Sequence, residues 1–234
     1  MFFTIALLLA SLMIYGQDDG KREEGSLSFN IGYAHLDNAD FQQFLASEFS
    51  ILSEDYVLIG GSGYRMAGDF LIGCSGQFIF GPSDKYGDLK SEIVGGMGFF
   101  NLGYAIHNEE QLKIFPMIGI GGGGMNMKIT EGGDLNLHEV VNNPKREINL
   151  TVGNFLLDFS TGLDFSPFWE ISEDGNEGGG LNVGLRAGYL LGFDSDKWSY
   201  SGGDVNDVPK FGMRSLYVKL LIGGSGYSIR NSKW

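Results

Sequence analysis

Between Leu181 and Phe193 the chain reads LNVGLRAGYLLGF, and every odd position in it is apolar: Leu181, Val183, Leu185, Ala187, Tyr189, Leu191 and Phe193. The even positions are Asn182, Gly184, Arg186, Gly188, Leu190 and Gly192, a face of small, polar and charged residues interrupted by one leucine. A helix would scatter the leucines all round Arg186, whereas a strand sends successive side chains to opposite faces. The segment is therefore a strand with two unlike sides, and the arginine marks the side that avoids the surroundings of the leucines.

The same alternation recurs along the chain. Leu27, Phe29, Ile31 and Tyr33 oppose Ser26, Ser28, Asn30 and Gly32; Phe70, Ile72, Cys74, Phe78 and Phe80 oppose Gly73, Ser75 and Gln77. Val94, Phe100, Leu102, Tyr104 and Ile106 oppose Gly95, Met97, Asn101 and Gly103, while Phe155, Leu157, Phe159, Leu163 and Phe165 oppose Asn154, Asp158, Ser160 and Asp164. Leu216, Val218, Leu220 and Ile222 oppose Ser215, Tyr217, Lys219 and Leu221. Two stretches are less regular. In YVLIGGSGYRM both faces mix apolar residues with glycine, and the charge of Arg65 sets it opposite Tyr56, Leu58, Tyr64 and Met66. In KIFPMIGIGGGGMNMKI, Ile114, Ile118 and Ile120 share one face, and a bulge in the glycine run is expected to bring Met125, Met127 and Ile129 onto a common face beyond it.

These stretches predict eight strands, most of ten residues or more. Strands of soluble proteins run about five or six residues, and a strand crossing a bilayer at a tilt near 45° needs about nine to eleven. The links alternate long and short: 34–55, 67–69, 81–90, 107–111, 130–147, 166–179 and 194–211, with the sixth longer than the pattern requires. Long loops on one rim and short turns on the other are the mark of a transmembrane barrel with both ends on the short-turn side.

Charge decides which face meets lipid. Arg65, Asp158, Asp164, Arg186 and Lys219 are assigned to the less apolar face, and an Arg or Lys turned to the bilayer midplane costs about 2–4 kcal/mol. The apolar face is then the outer one, the reverse of a soluble eight-stranded barrel with an apolar calyx. Tyr33, Tyr56, Phe80, Tyr104, Phe165, Tyr189 and Phe193 are expected near the ends of outer faces, as interfacial girdles. Inside, Asp158, Arg186 and Lys219 are expected to cluster at mid-height, with Arg65 and Asp164 nearer the periplasmic rim, as a charge network plugging the lumen.

The N-terminal run MFFTIALLLASLMIYGQ is too short for a spanning helix and of the length of a signal-peptide core. Residues 1–16 are read as a signal peptide, 17–25 as a short polar segment and 26–230 as the barrel. A formal net charge of -13 argues against nucleic acid as a partner, and the single Cys74 rules out an internal disulfide framework. No cofactor and no metal are expected. The acidic segments with Asp194, Asp196, Asp204 and Asp207, and with Glu173, Asp174 and Glu177, lack EF-hand spacing and read as solvated loops. His35, His138, Ser47 and Asp40 could serve a lipid-modifying barrel enzyme only if they met at one rim, and the sequence does not bring them together; the chain is read as non-enzymatic.

GLNVGLRAGYLLGF and LYVKLLIGG resemble the last two strands of small eight-stranded outer-membrane barrels of the OmpA and OmpX type, in their glycine-rich Gram-negative form. The resemblance is one of pattern and spans most of Leu27 to Tyr227. It implies an all-β, antiparallel up-and-down barrel in the outer membrane; the peptidoglycan-binding domain that many OmpA-like proteins carry is not expected, because the chain stops soon after the eighth strand. Its expected partners are outer-membrane lipids and lipopolysaccharide, the barrel-assembly machinery during biogenesis, and an extracellular ligand held by the long loops, with the barrel itself a monomer. The expected role is structural or surface-interactive, in membrane integrity, adhesion or loop-mediated binding. The alternatives are a narrow ion or small-solute channel and a secreted soluble barrel for a small apolar ligand.

Overall fold

A computed structural model of the chain describes residues 22–37, 54–86, 89–109, 111–131, 147–173, 176–200, 203–205 and 210–229. Eight long antiparallel strands close into a ring: β1 Arg22–Asp37, β2 Asp55–Ala67, β3 Phe70–Phe80, β4 Leu89–Tyr104, β5 Leu112–Glu131, β6 Glu147–Ile171, β7 Glu177–Gly192 and β8 Arg214–Ile229. Each pairs with its sequence neighbours, and β1 pairs with β8 to shut the seam. Across that seam Phe29 faces Ile222, Ile31 faces Leu220 and Tyr33 faces Val218. Closure matters physically, because hydrocarbon offers no partner to a backbone N–H or C=O, and a ring leaves no unpaired edge.

Strand lengths run from 11 residues in β3 to 25 in β6, enough to cross a bilayer. The apolar positions point outward. Leu27, Phe29, Ile31, Phe78, Leu102, Ile120, Phe159, Leu185, Leu220 and Ile222 are all exposed on the outside of the ring, while Asn30, Gln77, Asn101, Asp158, Arg186 and Lys219 are buried inside it. Tyr33, Phe80, Tyr104, Phe165, Tyr189 and Phe193 are exposed on the outer surface as expected.

Tyr56 and Arg65 are the exceptions. β2 alternates without a break, so its even residues Tyr56, Leu58 and Met66 point into the lumen, with Tyr56 only 2% exposed. Arg65, an odd residue, shares the outer face with Val57 and forms an ion pair with Glu23 of β1. It is thus a rim cation on the outside, not a member of the lumen network. Near the interface a long side chain can reach polar surroundings from the lipid face, so charge is a poor guide to sidedness there.

Two irregularities also resolve differently from the sequence reading. The glycine run of β5 holds its register with β4 from Leu89↔Glu131 to Gly103↔Met117, so no bulge intervenes. Met125 and Met127 continue the inward series of Phe115 and are buried. The bulge lies instead in β6, where Phe165 pairs with Val183 and Phe168 with Leu181, three steps against two. Pro167 sits in it and has no N–H to give a ladder. Beyond it β6 continues to Ile171, which leaves only residues 172–176 before β7.

The links then alternate strictly: 38–54, 81–88, 132–146 and 193–213 at one rim, 68–69, 105–111 and 172–176 at the other. The rim with long links is the external one. The tight turn after β2 uses Gly68 at φ 61°, a left-handed conformation that a two-residue hairpin demands and glycine adopts freely. β1 begins at Arg22, inside the segment 17–25 that the sequence reading set apart from the barrel.

On the external side part of the ring extends into a wall. Asp84–Tyr86 pairs with the start of β4, and Trp198–Tyr200 pairs with Leu150–Val152 of β6 and with Gly203–Val205.

Candidate functional site

The lumen is filled in tiers, and the positions follow from which strands face one another. Nearest the periplasmic rim, the Lys113 ammonium of β5 lies 3.0 Å from Glu24 Oε2 of β1. It also stands 5.3 Å from the Trp169 ring, which stacks on Tyr227 at 5.9 Å between centroids. Neither Glu24 nor Lys113 was singled out from sequence. Each lies close to a strand end, where alternation is short and a charge reads as solvated.

Above this pair, Arg186 Nη1 donates to Asp164 Oδ1 at 2.5 Å, and both side chains are buried. Tyr64 Oη donates to the other carboxylate oxygen at 2.6 Å, and the Arg186 guanidinium lies 4.6 Å from the centre of the fully buried Phe115 ring. The partner of Arg186 is therefore Asp164, which lies opposite Lys113 on the β5–β6 ladder and so nearer the periplasmic rim than Asp158, as expected, but buried in the lumen. Asp158 belongs to the next tier. Its carboxylate accepts from Tyr217 Oη at 2.7 Å and from Ser160 Oγ at 3.4 Å. Lys219 stands in that tier with its ammonium 4.2 Å from the Tyr217 ring centroid.

Glycine is what makes room for these cations. Arg186 faces Gly162 across the β6–β7 ladder, and a Cβ there would lie 2.5 Å from the Phe115 ring and 2.9 Å from the guanidinium carbon. Lys219 faces Gly32 across the seam, where a Cβ would lie 2.5 Å from the lysine Cγ. A long cation laid across the wall of a narrow barrel needs a neighbour with no side chain. That pairing is the signal, present in the sequence, that could have located the tiers once the register was known.

Among the described residues the charges inside the ring are the partly buried Glu24 and the buried Asp158 and Asp164 against the buried Lys113, Arg186 and Lys219, so the lumen is charge-balanced. Its external half is different in kind. Leu58, Ile79, Met97, Phe99, Met125, Met127, Val152, Leu156 and Leu190 form one apolar cluster. Trp198, Phe211 and Met213, from the link between β7 and β8, pack into it from above. This strap is fastened by Asn154, whose Nδ2 donates to the carbonyls of Phe193 at 2.9 Å and Phe211 at 2.7 Å. Ser195 and Phe211 form an isolated antiparallel bridge, and Trp198 meets Phe211 edge to face. A lumen closed by polar and charged groups throughout was the expectation from sequence; the buried charges fill only its lower and middle part, and the external half is mainly apolar.

At the external end of the outer surface, His35 Nδ1 lies 3.0 Å from Asp55 Oδ1 and Nε2 lies 3.4 Å from Glu54 Oε2, while Tyr33 Oη also donates to Asp55. The hydrogen bond to Asp55 raises the His35 pKa above its ordinary value, with Glu54 and Asp37 adding to it. The hydrogen bonds from Tyr33 and His35 lower that of Asp55. A raised histidine pKa contributes stability below the unfolded value near 6.5 and loses it as pH rises through the folded value. The His35 ring signals followed by NMR should titrate above about 6.5, and Asp55→Asn should bring the midpoint back towards it; an unmoved midpoint would show that the contact is not formed.

His138, Ser47 and Asp40 lie outside the described residues, so only His35 of the rim candidates is placed. Asp207 and Asp174 also lie outside them. Among the described residues no group of three or more His, Cys, Asp or Glu side chains is arranged to hold a metal ion, and no helix is long and apolar enough to cross a membrane.

No protein-family model matches the chain, and no curated protein is similar to it in sequence. Among solved structures, the chain is similar to Ail, the attachment invasion locus protein of Yersinia pestis, at 12% identity and a TM-score of 0.40, over 90% of this chain and 99% of that one. Neisserial surface protein A is similar at 14% identity and a TM-score of 0.36, over 88% and 97%. A major outer membrane protein from Thermus thermophilus is similar at 10% identity and a TM-score of 0.40, over 87% and 98%. The class of the molecule follows from its own surface, in which an apolar belt surrounds a closed ring with a charged interior. The chain is a small eight-stranded antiparallel transmembrane β-barrel.

Proposed function

We propose that this barrel is a closed membrane scaffold whose work is done at its external face, in membrane integrity, adhesion or loop-mediated binding, and not by passing solutes. The observation that carries the reading is the double stopper: Trp198, Phe211 and Met213 over an apolar tier, above the Asp164–Arg186 and Glu24–Lys113 pairs. An eight-stranded barrel has an interior that side chains can fill, and here buried ion pairs and an apolar cap fill it from opposite ends.

The external wall supports a surface role. Lys90, Glu92, Asn126, Lys128, Asn149 and Thr151 turn outward on it, with Asn126 donating to Thr151 at 2.9 Å. Such a polar ladder suits the headgroup region of outer-leaflet lipids, lipopolysaccharide among them. The closed ring leaves the membrane-embedded strands no free edge to pair with a second copy, which favours a monomer.

The test is single-channel recording in planar bilayers. The barrel, folded from detergent and shown to be heat-modifiable on a denaturing gel, should give no stepwise conductance. Reproducible unitary currents from the folded form would overturn the closed reading in favour of a narrow ion or small-solute channel.

A further inference from the structure

Between the polar tiers lies a cavity of about 30 Å³, lined by Asn30, Tyr64, Asp158, Arg186, Tyr217 and Lys219 among others. A site for one water needs at least about 10–15 Å³ of such volume together with two to four polar partners, so the space suits about two waters. Lys219 is only 8% exposed, yet its ammonium, with three donors, meets the face of the Tyr217 ring and no hydrogen-bond acceptor among the described residues. Asp158, the nearby carboxylate, is engaged by Tyr217 and Ser160. Asn30 is 1% exposed, and its Oδ1 accepts no hydrogen bond from the described residues. One pocket therefore holds a buried cation in want of acceptors and a buried carbonyl in want of a donor.

We infer that this pocket is an internal hydration site, in which about two long-lived waters accept from Lys219 and donate to Asn30. A halide could face the lysine but would set an anion against the asparagine oxygen; water serves both. The same waters separate Lys219 from Arg186, two like charges placed directly opposite each other across the β7–β8 ladder. The hydrogen bonds of Arg186 all leave from Nη1, to Asp164 and to the carbonyls of Leu163 and Leu185, so its remaining N–H groups are also available to them. Orphaned buried polar groups are costly, and bound water is the usual remedy where the site is polar and roomy. The apolar cluster stands on the external side of the pocket, with Tyr64 and Arg186 towards its periplasmic side, so its waters form no file across the membrane.

Water-to-protein NMR transfer on the wild-type barrel in lipid nanodiscs tests this directly, with Lys219→Met used to assign the ammonium and Asn30→Asp the amide. The expected result is a long-lived water cross peak to both the Lys219 ammonium and the Asn30 side-chain amide, unchanged when potassium chloride is replaced by potassium gluconate or potassium bromide. Loss of both cross peaks with the resonances assigned would mean a dry pocket and sink the inference. A Lys219 ammonium signal that moves with the halide would assign the site to an anion and overturn it equally.

Discussion

Replacing Arg186 with Leu will destabilise the folded barrel by about 3–5 kcal/mol, because it leaves the buried Asp164 carboxylate without its cation. The lost contact with the Phe115 ring adds to the cost. The sharper expectation concerns the double variant. Replacing both Arg186 and Asp164 with Leu removes the uncompensated charge together with its partner, and well-packed apolar pairs of similar volume often match or exceed a buried ion pair. Most of the loss should return. Equilibrium unfolding in urea, read by the heat-modifiable band, gives the coupling energy through a double-mutant cycle. Strong coupling of Arg186 to Asp164 and weak coupling to Asp158 is the expected outcome; the reverse would make Asp158 the counter-ion of Arg186.

A second large effect belongs to the outer face. Leu220 lies on the outside of β8 between Ile31 and Leu185 of the neighbouring strands. Leu220→Arg should cost about 2–4 kcal/mol in a bilayer, as expected for a cation near the midplane. Ala67→Arg, at the periplasmic end of β2, should cost about 0–1 kcal/mol, since the penalty falls off near the interface. On a soluble barrel Leu220 would be an ordinary exposed residue and its substitution nearly neutral, within about 0.5 kcal/mol. Equal, small effects at both positions would therefore point to the secreted soluble alternative.

Both experiments rest on sidedness, and sidedness was legible in the sequence wherever a strand had one unmistakable face. From Leu181 onward the odd positions of β7 are continuously apolar, and the lumen position of Arg186 follows from period two alone. β2 has no such face: glycines occupy both sides of its middle, so Arg65 was placed by its charge and Tyr56 by its aromatic ring. The ring's register overrules both, because one unbroken ladder with β1 and β3 admits one alternation. Glu24 and Lys113 escaped notice for a related reason. Each sits near a strand end, and nothing in the chain says that residues so far apart meet across the barrel.

By itself, then, the sequence determined an eight-stranded antiparallel barrel with its greasy face outward, because repeating alternation, strand length and loop length are local properties that survive without knowing any neighbour. The tertiary structure decided who pairs with whom. Asp164 rather than Asp158 holds Arg186, since strand tilt and stagger set which side chains share a height in the lumen. Glycines at 32 and 162 became the seats of Lys219 and Arg186 only when register placed them opposite. The strap carrying Trp198, Phe211 and Met213 became a stopper only when the link after β7 folded back against β6. These are relations between distant segments, and only closure of the ring brings them into being.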